Sequence, residues 1–392
     1  MTGNSRTTAP ARRWERDGNE CGAAGVHPSS KLGPVGLPLT FEECRTHFRR
    51  ASDRRRVAVN AHPIAARGPN GLELTIDVVQ LGDPTPDRAL VVLSGVHGVE
   101  GFIGSTLQSD LLGRWDDDRF PSGLQVLIVH AVNPWGMAWW RRQNESNVDL
   151  NRNWRRSDFV PPPNDAYDEM HAIACPDTPE LPDVRALLLT TQRWVNERGI
   201  AWVRDGITSG QYSRPDGLHF GGHVTEESNR ILEAIVAAHL GDVERLFTID
   251  LHTGHGPWGE LTALCNQPPG SSQERFLSGV FDRVEATVGN VDATTGSKFG
   301  QIANGFASIL PRAVCFATSL EVGTTDDITQ LGVTHQEQWV HRHGDRGRPD
   351  HAAAVWAYRS SFTPEEPAWA DNAVARCRSA LDRALTAVVE WT

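Results

Sequence analysis

The segment Ala89-Leu90-Val91-Val92-Leu93-Ser94-Gly95-Val96-His97-Gly98-Val99-Glu100-Gly101 sets the architecture of this chain. Its first five residues are uninterruptedly apolar, which suits a strand buried on both faces. The turn that follows is rich in glycine and carries His97 and Glu100 three residues apart. An imidazole nitrogen and a carboxylate oxygen at that spacing can grip one divalent ion, and glycines let the backbone turn tightly around it. Two such common residue types carry little information alone. Their weight comes from what lies further along: Asp149-Leu150-Asn151-Arg152-Asn153, Asp250-Leu251-His252 and Leu320-Glu321-Val322-Gly323.

Around that segment the hydropathy pattern alternates between strand and helix. Thr40-Phe41-Glu42-Glu43 reads as a capping box opening a helix to about Ala51. Leu72–Leu81, Leu124–His130, Arg245–Leu251 and Ala313–Leu320 read as further strands. Leu107, Leu111 and Leu112 fall at helical spacing within Gly104–Trp115. Strand, helix, strand in that order implies a parallel crossover in a largely buried sheet. Helices are expected at Leu181–Glu197, at Thr225–Leu240 with Thr225 as its opening residue, and at Ala368–Trp391. Gly206–Gly222 reads as an ordered glycine-rich loop in which Tyr212 and His219, with His223 just beyond it, can line a pocket, and Asp326–Asp350 as a polar excursion. The expected fold is α/β, a single domain with a central mixed, mostly parallel β-sheet flanked by helices. It spans 39–392, with residues 1–38 as a disordered leader.

Composition bounds the function. The 392 residues are 39% hydrophobic and 22% charged with a formal net charge of -11, which argues against a general nucleic-acid binder. A local basic cluster of Arg141, Arg142, Arg152, Arg155 and Arg156 stands against that acidic background and can receive an anion. Cys21, Cys44, Cys175, Cys265, Cys315 and Cys377 are scattered with no C-x-x-C pair, so neither a disulfide framework nor a cysteine zinc knot is suggested. With no signal-peptide h-region and no apolar run long enough to span a bilayer, a cytoplasmic protein without a membrane partner is expected.

Four polar groups fall just past four expected strands: His97 with Glu100, Arg142 beyond Asn133-Pro134-Trp135-Gly136, His252, and Glu321. Residues beyond the carboxyl ends of strands in an open sheet converge on one crevice, where ligands bind. Two histidines and one glutamate suit a hydrolytic zinc site whose fourth position is open. Glu321 is the candidate to move the proton of the attacking water, and an arginine beside the metal can stabilise the developing oxyanion. Arg141 and Arg142 compete for that last role. His255 is a rival ligand to His252, although its glycine-flanked position favours loop packing, and His341 and His343 read as solvated.

H-x-x-E, then R-x-N-x-x-x-V-D-L-N-R-N over Arg142–Asn153, then D-L-H, then L-E-V-G resembles the zinc carboxypeptidase superfamily of carboxypeptidase A type. The chain is most similar to a bacterial branch carried as a domain of unknown function, with N-P-W-G-M and G-Q-Y segments. The resemblance covers roughly Leu72–Gly323. It implies one zinc ion held by His97, Glu100 and His252, with Glu321 as general base and acid and Arg142 polarising the scissile carbonyl. It further implies that Asn151 and Arg152 hold a substrate carboxylate and that Asp149 orients His97. Carboxypeptidases place a mobile tyrosine upstream of the catalytic glutamate, yet Thr294–Leu310 contains none, and Tyr212 is the substitute at a different position. The segment at about 156–225 reads as an insertion. The His-Gly-Val-Glu-Gly string also resembles the related aspartoacylase and succinylglutamate desuccinylase deacylases. A small peptide with a free carboxylate and an acyl amino acid are therefore the two expected substrates, and a non-catalytic binding protein on the same fold is a lesser alternative.

Overall fold

The computed structural model describes residues 37–155, 159–289 and 298–391. Most of the leader expected at residues 1–38 therefore lies outside the described residues. Eight strands form one sheet: β1 Asn60–Arg67, β2 Glu73–Gly82, β3 Arg88–Ser94, β4 Leu124–His130, β5 Arg245–Gly254, β6 Leu261–Cys265, β7 Val284–Ala286 and β8 Val314–Gly323. Their order across the sheet is β1-β2-β4-β3-β5-β8-β6-β7. The middle strands β4, β3, β5 and β8 run parallel, and antiparallel pairs flank them at β1/β2, β2/β4 and β6/β8. The helices are α1 Phe41–Arg55, α2 Gly101–Arg114, α3 Pro134–Ala138, α4 Asp165–Ala174, α5 Val184–Arg198, α6 Ile200–Thr208, α7 Glu227–Leu240, α8 Ser272–Val280, α9 Ile302–Gly305, α10 Asp327–His343, α11 Pro349–Phe362 and α12 Pro367–Val389. The chain is a single mixed α/β domain, and none of its described helices is long and apolar enough to cross a membrane.

Alternation along the parallel strands feeds two cores, one on each face of the sheet. Leu90 and Val92 of β3 and Val126 and Ile128 of β4 pack with Ile103, Leu107 and Leu111 of α2 and with Ala373, Leu381 and Leu385 of α12. Val91 and Leu93, with Leu127 and Val129, face the other way onto Leu232 and Ile235 of α7 and Phe306. Burial on both faces is why these strands read as continuous hydrophobic runs. At about 25 cal/mol per Å² of apolar area removed from water, this double core dominates the stability.

Thr40 caps α1 through the expected box, its hydroxyl accepting from Glu43 N while Glu43 reaches back to the cap. Three expectations need correction. The helix expected to open at Thr225 starts at Glu227, with Glu226 as its cap residue and no side-chain capping bond. Asp326–Asp350 is not an excursion: it holds α10 and the first turn of α11, and α10 buries His335, Glu337, Gln338, Trp339 and Val340. A helix that buries polar groups leaves no apolar stripe to read. His341 lies on that helix, and burial together with Arg141 pushes its imidazole down to about 2, so it is not a solvated histidine.

Residues 159–225, within the segment read as an insertion, contain α4, α5 and α6 followed by the glycine-rich loop. That loop is stitched by Gln211, whose amide nitrogen donates to Arg214 O and Leu218 O while its oxygen accepts from Ser213 N and Arg214 N. Tyr167 and Cys175 of the helical layer pack against Leu218 at its far end.

Candidate metal centre and active site

His97 leaves the end of β3, and Glu100 sits on a single 3-10 turn, Gly98–Glu100, that runs into α2. This turn lies directly against α3: a Cβ at Gly98 would fall 2.0 Å from Gly136 C, and Val99 N donates to Arg141 O at 2.9 Å. Only glycine permits that approach, and it locks the His97–Glu100 turn to the backbone that carries Arg141 and Arg142. His252 lies on β5 and Glu321 on the adjacent β8, and their Cα positions are paired in the parallel register. One strand-to-strand step therefore separates a candidate ligand from the candidate base.

His97, Glu100 and His252 are buried together, with ligand atoms all within 4.8 Å of one another. His97 Nδ1 lies 3.0 Å from Glu100 Oε1, and His252 Nδ1 lies 2.8 Å from Glu100 Oε2. The opposite ring nitrogens are each held by a carboxylate: His97 Nε2 by Asp149 Oδ1 at 3.1 Å and His252 Nε2 by Asp250 Oδ2 at 2.6 Å. Both imidazoles thus turn Nδ1 inward and are fixed from behind by acids, the arrangement that orients metal-binding histidines. The sequence reading gave Asp250 no role, although it stands two residues before His252 and residues two apart on a strand share a face.

Burial and opposite charge compete at this cluster. Burial alone would raise Glu100, but His97 and Arg142, with a bond from His252, hold it well below the usual carboxylate range. Burial would lower His252, yet Asp250 and Glu100 together push it well above the ordinary histidine value. A pocket that favours a proton on a buried imidazole favours a cation in the proton's place. The donor set, two nitrogens and a carboxylate backed by two further acids, fits a zinc ion.

Arg142 and Arg141 point in opposite directions. Arg142 donates from Nη1 to Glu100 Oε1 at 2.8 Å and from Nε to Asp149 Oδ2 at 3.1 Å. Its Nη2 has no hydrogen-bond partner among the described residues. Arg141 is fully buried, bound to Glu337 at 3.0 Å and Gln338 at 2.7 Å of α10, so of the two arginines it is Arg142 that contacts the candidate cluster. Asp149 accepts from His97, Arg142, Asn151 N and, at 3.3 Å, His219 Nδ1. His219 occupies a left-handed backbone conformation at φ 50°, a strained position for a non-glycine residue, and burial pushes its imidazole down to about 4.

The remaining expected residues sit on the wall beside this cluster. Asn151 Oδ1 accepts from Ile302 N at 2.9 Å. Arg152 donates to its neighbour's carbonyl, Asn151 O, at 3.0 Å and to Thr208 O at 2.6 Å, and is 1% exposed. Tyr212 donates its hydroxyl to Arg152 O at 2.7 Å, and burial raises that phenol to about 12. His255 lies outside the cluster, 3.3 Å from Glu285. Besides Asp250, Lys298 also escaped the sequence reading. Lys298 lies in no motif, and the charges acting on its ammonium are those of Arg152, Glu321, Arg142 and Asp149.

The fold is that of the carboxypeptidases. Bovine thrombin-activatable fibrinolysis inhibitor, solved with tick carboxypeptidase inhibitor, superposes with a TM-score of 0.51 at 10% identity, covering 90% of this chain and 98% of its own. Carboxypeptidase A from Helicoverpa armigera is similar at 12% identity and a TM-score of 0.47 over 89% and 78% of the two chains. A succinylglutamate desuccinylase/aspartoacylase from Rhodobacter sphaeroides is similar at 13% and 0.37, over 74% and 65%. A comparison with curated proteins finds no match. Residues 38–376 match the family described as protein of unknown function DUF2817, and the chain belongs to that family.

Proposed function

We propose that this chain is a zinc-dependent hydrolase of an amide bond, a carboxypeptidase-like enzyme acting on a small peptide or peptide-like substrate with a free carboxylate. The observation that carries the reading is the orientation of the two imidazoles. Both Nδ1 atoms face Glu100 while Asp149 and Asp250 hold the opposite nitrogens, and Glu321 is paired in register with His252. His97, Glu100 and His252 would hold the ion, and zinc there would supply a Lewis acid that polarises a carbonyl and acidifies a water. Glu321 takes the proton of the attacking water and passes it to the leaving nitrogen. Arg142 keeps Nη1 and Nε on Glu100 and Asp149, which leaves Nη2 for the oxygen that gains charge. Asp149 fixes His97 and Arg142 at once, coupling ligand geometry to oxyanion stabilisation. Asn151, Arg152 and Tyr212 form the substrate end of the cleft.

The test is a zinc-loaded assay on a mixed panel: di- and tripeptides with free C-termini, their C-terminal amides, and N-acetyl and N-succinyl amino acids. Hydrolysis of the free-carboxylate peptides is expected. Glu321→Gln should cut turnover by about 10²–10⁴-fold while zinc stays bound, the range general acid–base catalysis contributes. Turnover of acyl amino acids alone would make the chain a deacylase on the same site. No turnover of any class by zinc-loaded protein would overturn the hydrolase reading.

A further inference from the structure

His219 is the side chain through which the glycine-rich loop reaches the supports of the metal cluster, and the backbone around it is built to deliver it. Leu218 O accepts from the side-chain amide of Gln211 at 3.2 Å, and His219 O accepts from Gln211 N at 3.2 Å. Leu218 N donates to the buried hydroxyl of Tyr167, and Phe220 O accepts from Asp149 N at 2.7 Å. The peptide planes on both sides of His219 are therefore fixed by their partners, at a left-handed φ of 50° that a non-glycine residue seldom adopts. Gly221 completes the fit, since a Cβ there would lie 2.1 Å from Tyr212 Cε1.

The loop and the Asp149 turn are joined twice. One bond is between backbones, Asp149 N to Phe220 O; the other is between side chains, His219 Nδ1 to Asp149 Oδ2 at 3.3 Å. Asp149 Oδ1 takes His97 Nε2 at 3.1 Å and Asn151 N at 2.9 Å, and Oδ2 also takes Arg142 Nε at 3.1 Å. The carboxylate thus has four donors, two on each oxygen, which fills its lone pairs. Because a carboxylate only accepts, His97 brings its proton on Nε2 and leaves Nδ1 bare on the side of Glu100. An aspartate carboxyl left to itself turns easily, its last torsion having broad preferences. Paired donors on both oxygens stop that rotation, and His219 supplies one of them.

We propose that His219 is a positioning residue for the metal centre: by donating to Asp149 Oδ2 it locks the carboxylate that orients His97 and holds Arg142. The inference rests on the reading of His97 as a metal ligand, but not on turnover. The glycine-rich loop thereby braces a ligand that it does not itself supply.

The experiment compares the whole wild-type chain with three variants, by zinc affinity in competition with a chelator and by the visible absorption of the cobalt(II)-loaded protein. Asparagine accepts a left-handed backbone and places its amide nitrogen where the imidazole Nδ1 stands, so His219→Asn keeps the donor. His219→Gly and His219→Phe both remove it, the first by emptying the space and the second by filling it with a ring. Zinc affinity should fall about tenfold in His219→Gly and His219→Phe, the lower end of what outer partners of metal ligands contribute, and stay within about threefold of wild type in His219→Asn. The cobalt bands, which report ligand geometry, should shift in the first two and hold their wild-type positions in the third. Wild-type affinity and spectrum in both His219→Gly and His219→Phe would overturn the proposal and leave the metal site standing. A His219→Asn protein as impaired as the other two would also overturn it, because the donor would then not be what matters. Wild-type protein that binds neither metal would overturn the metal reading and this proposal together. Loss in His219→Gly and His219→Phe with rescue in His219→Asn, in a chain that hydrolyses nothing on the panel, would sink the hydrolase reading and leave this one standing.

Discussion

The candidate metal cluster, the floor of the site, and the residues beside it, its wall, are built by different means. The floor is carried by β3, β5 and β8, where ladder register puts His252 beside Glu321 and a close-packed turn sets His97 and Glu100. The wall is made by the glycine-rich loop and by residues 298–302, held through side-chain bonds to backbone such as Tyr212 to Arg152 O and Asn151 to Ile302 N. The geometry of the candidate metal ligands is therefore preset by the sheet, whereas the wall beside them is held by loops. This matches the general division in which a rigid scaffold positions binding residues carried on loops.

The largest effect should come from breaking the floor. His97→Ala removes one of three ligands and should lower zinc occupancy after dialysis by at least tenfold, whereas Tyr212→Phe on the wall should leave occupancy unchanged. Metal analysis of both purified variants checks this, and full occupancy in His97→Ala would mean the ion sits elsewhere. A smaller effect sharpens the contrast. Asp250→Asn keeps the shape but weakens the acid behind His252, so zinc affinity should fall about 10–100-fold with little change in melting temperature. An unchanged affinity would show that Asp250 only satisfies a buried ring nitrogen.

The same division explains what the sequence disclosed. The strands were legible because burial on both faces leaves unbroken apolar runs, and the floor residues were legible because they follow those runs directly. Leu124–His130 matches β4 at both ends. The wall was legible only in part, because loop geometry depends on partners far away in the chain. Arg141 and Arg142 are adjacent, and no local signal says which faces the cleft. The choice is made by Glu337 and Gln338 on α10, nearly two hundred residues later, which draw Arg141 away. That buried polar pairing also hid α10 itself. The edge strand β1 was missed because its residues are mostly exposed or half-buried and include Pro63. Lys298 carried no motif and drew no reading in the sequence.

The smallest prediction separates the scaffold from the site by pH. His130 ends β4 beneath α1, stacked on Phe48 at 4.7 Å and bonded to Ser105 Oγ at 2.9 Å, away from the candidate ligands. Burial pushes its imidazole down to about 4, against an unfolded value near 6.5. Below about 6.5 the unfolded chain takes up a proton that the folded chain refuses, so stability is complete above that pH and declines towards pH 4. The decline from this one group should reach about 2–3 kcal/mol. His219, also held down to about 4, adds to the slope with the same sign. His130→Phe can keep the stack on Phe48 and should flatten, not abolish, the loss of stability between pH 6.5 and 4 in denaturant titrations, with zinc occupancy unchanged. An unaltered slope would mean that the acid sensitivity belongs to the cleft alone and that the scaffold beneath it is indifferent to protons in this range.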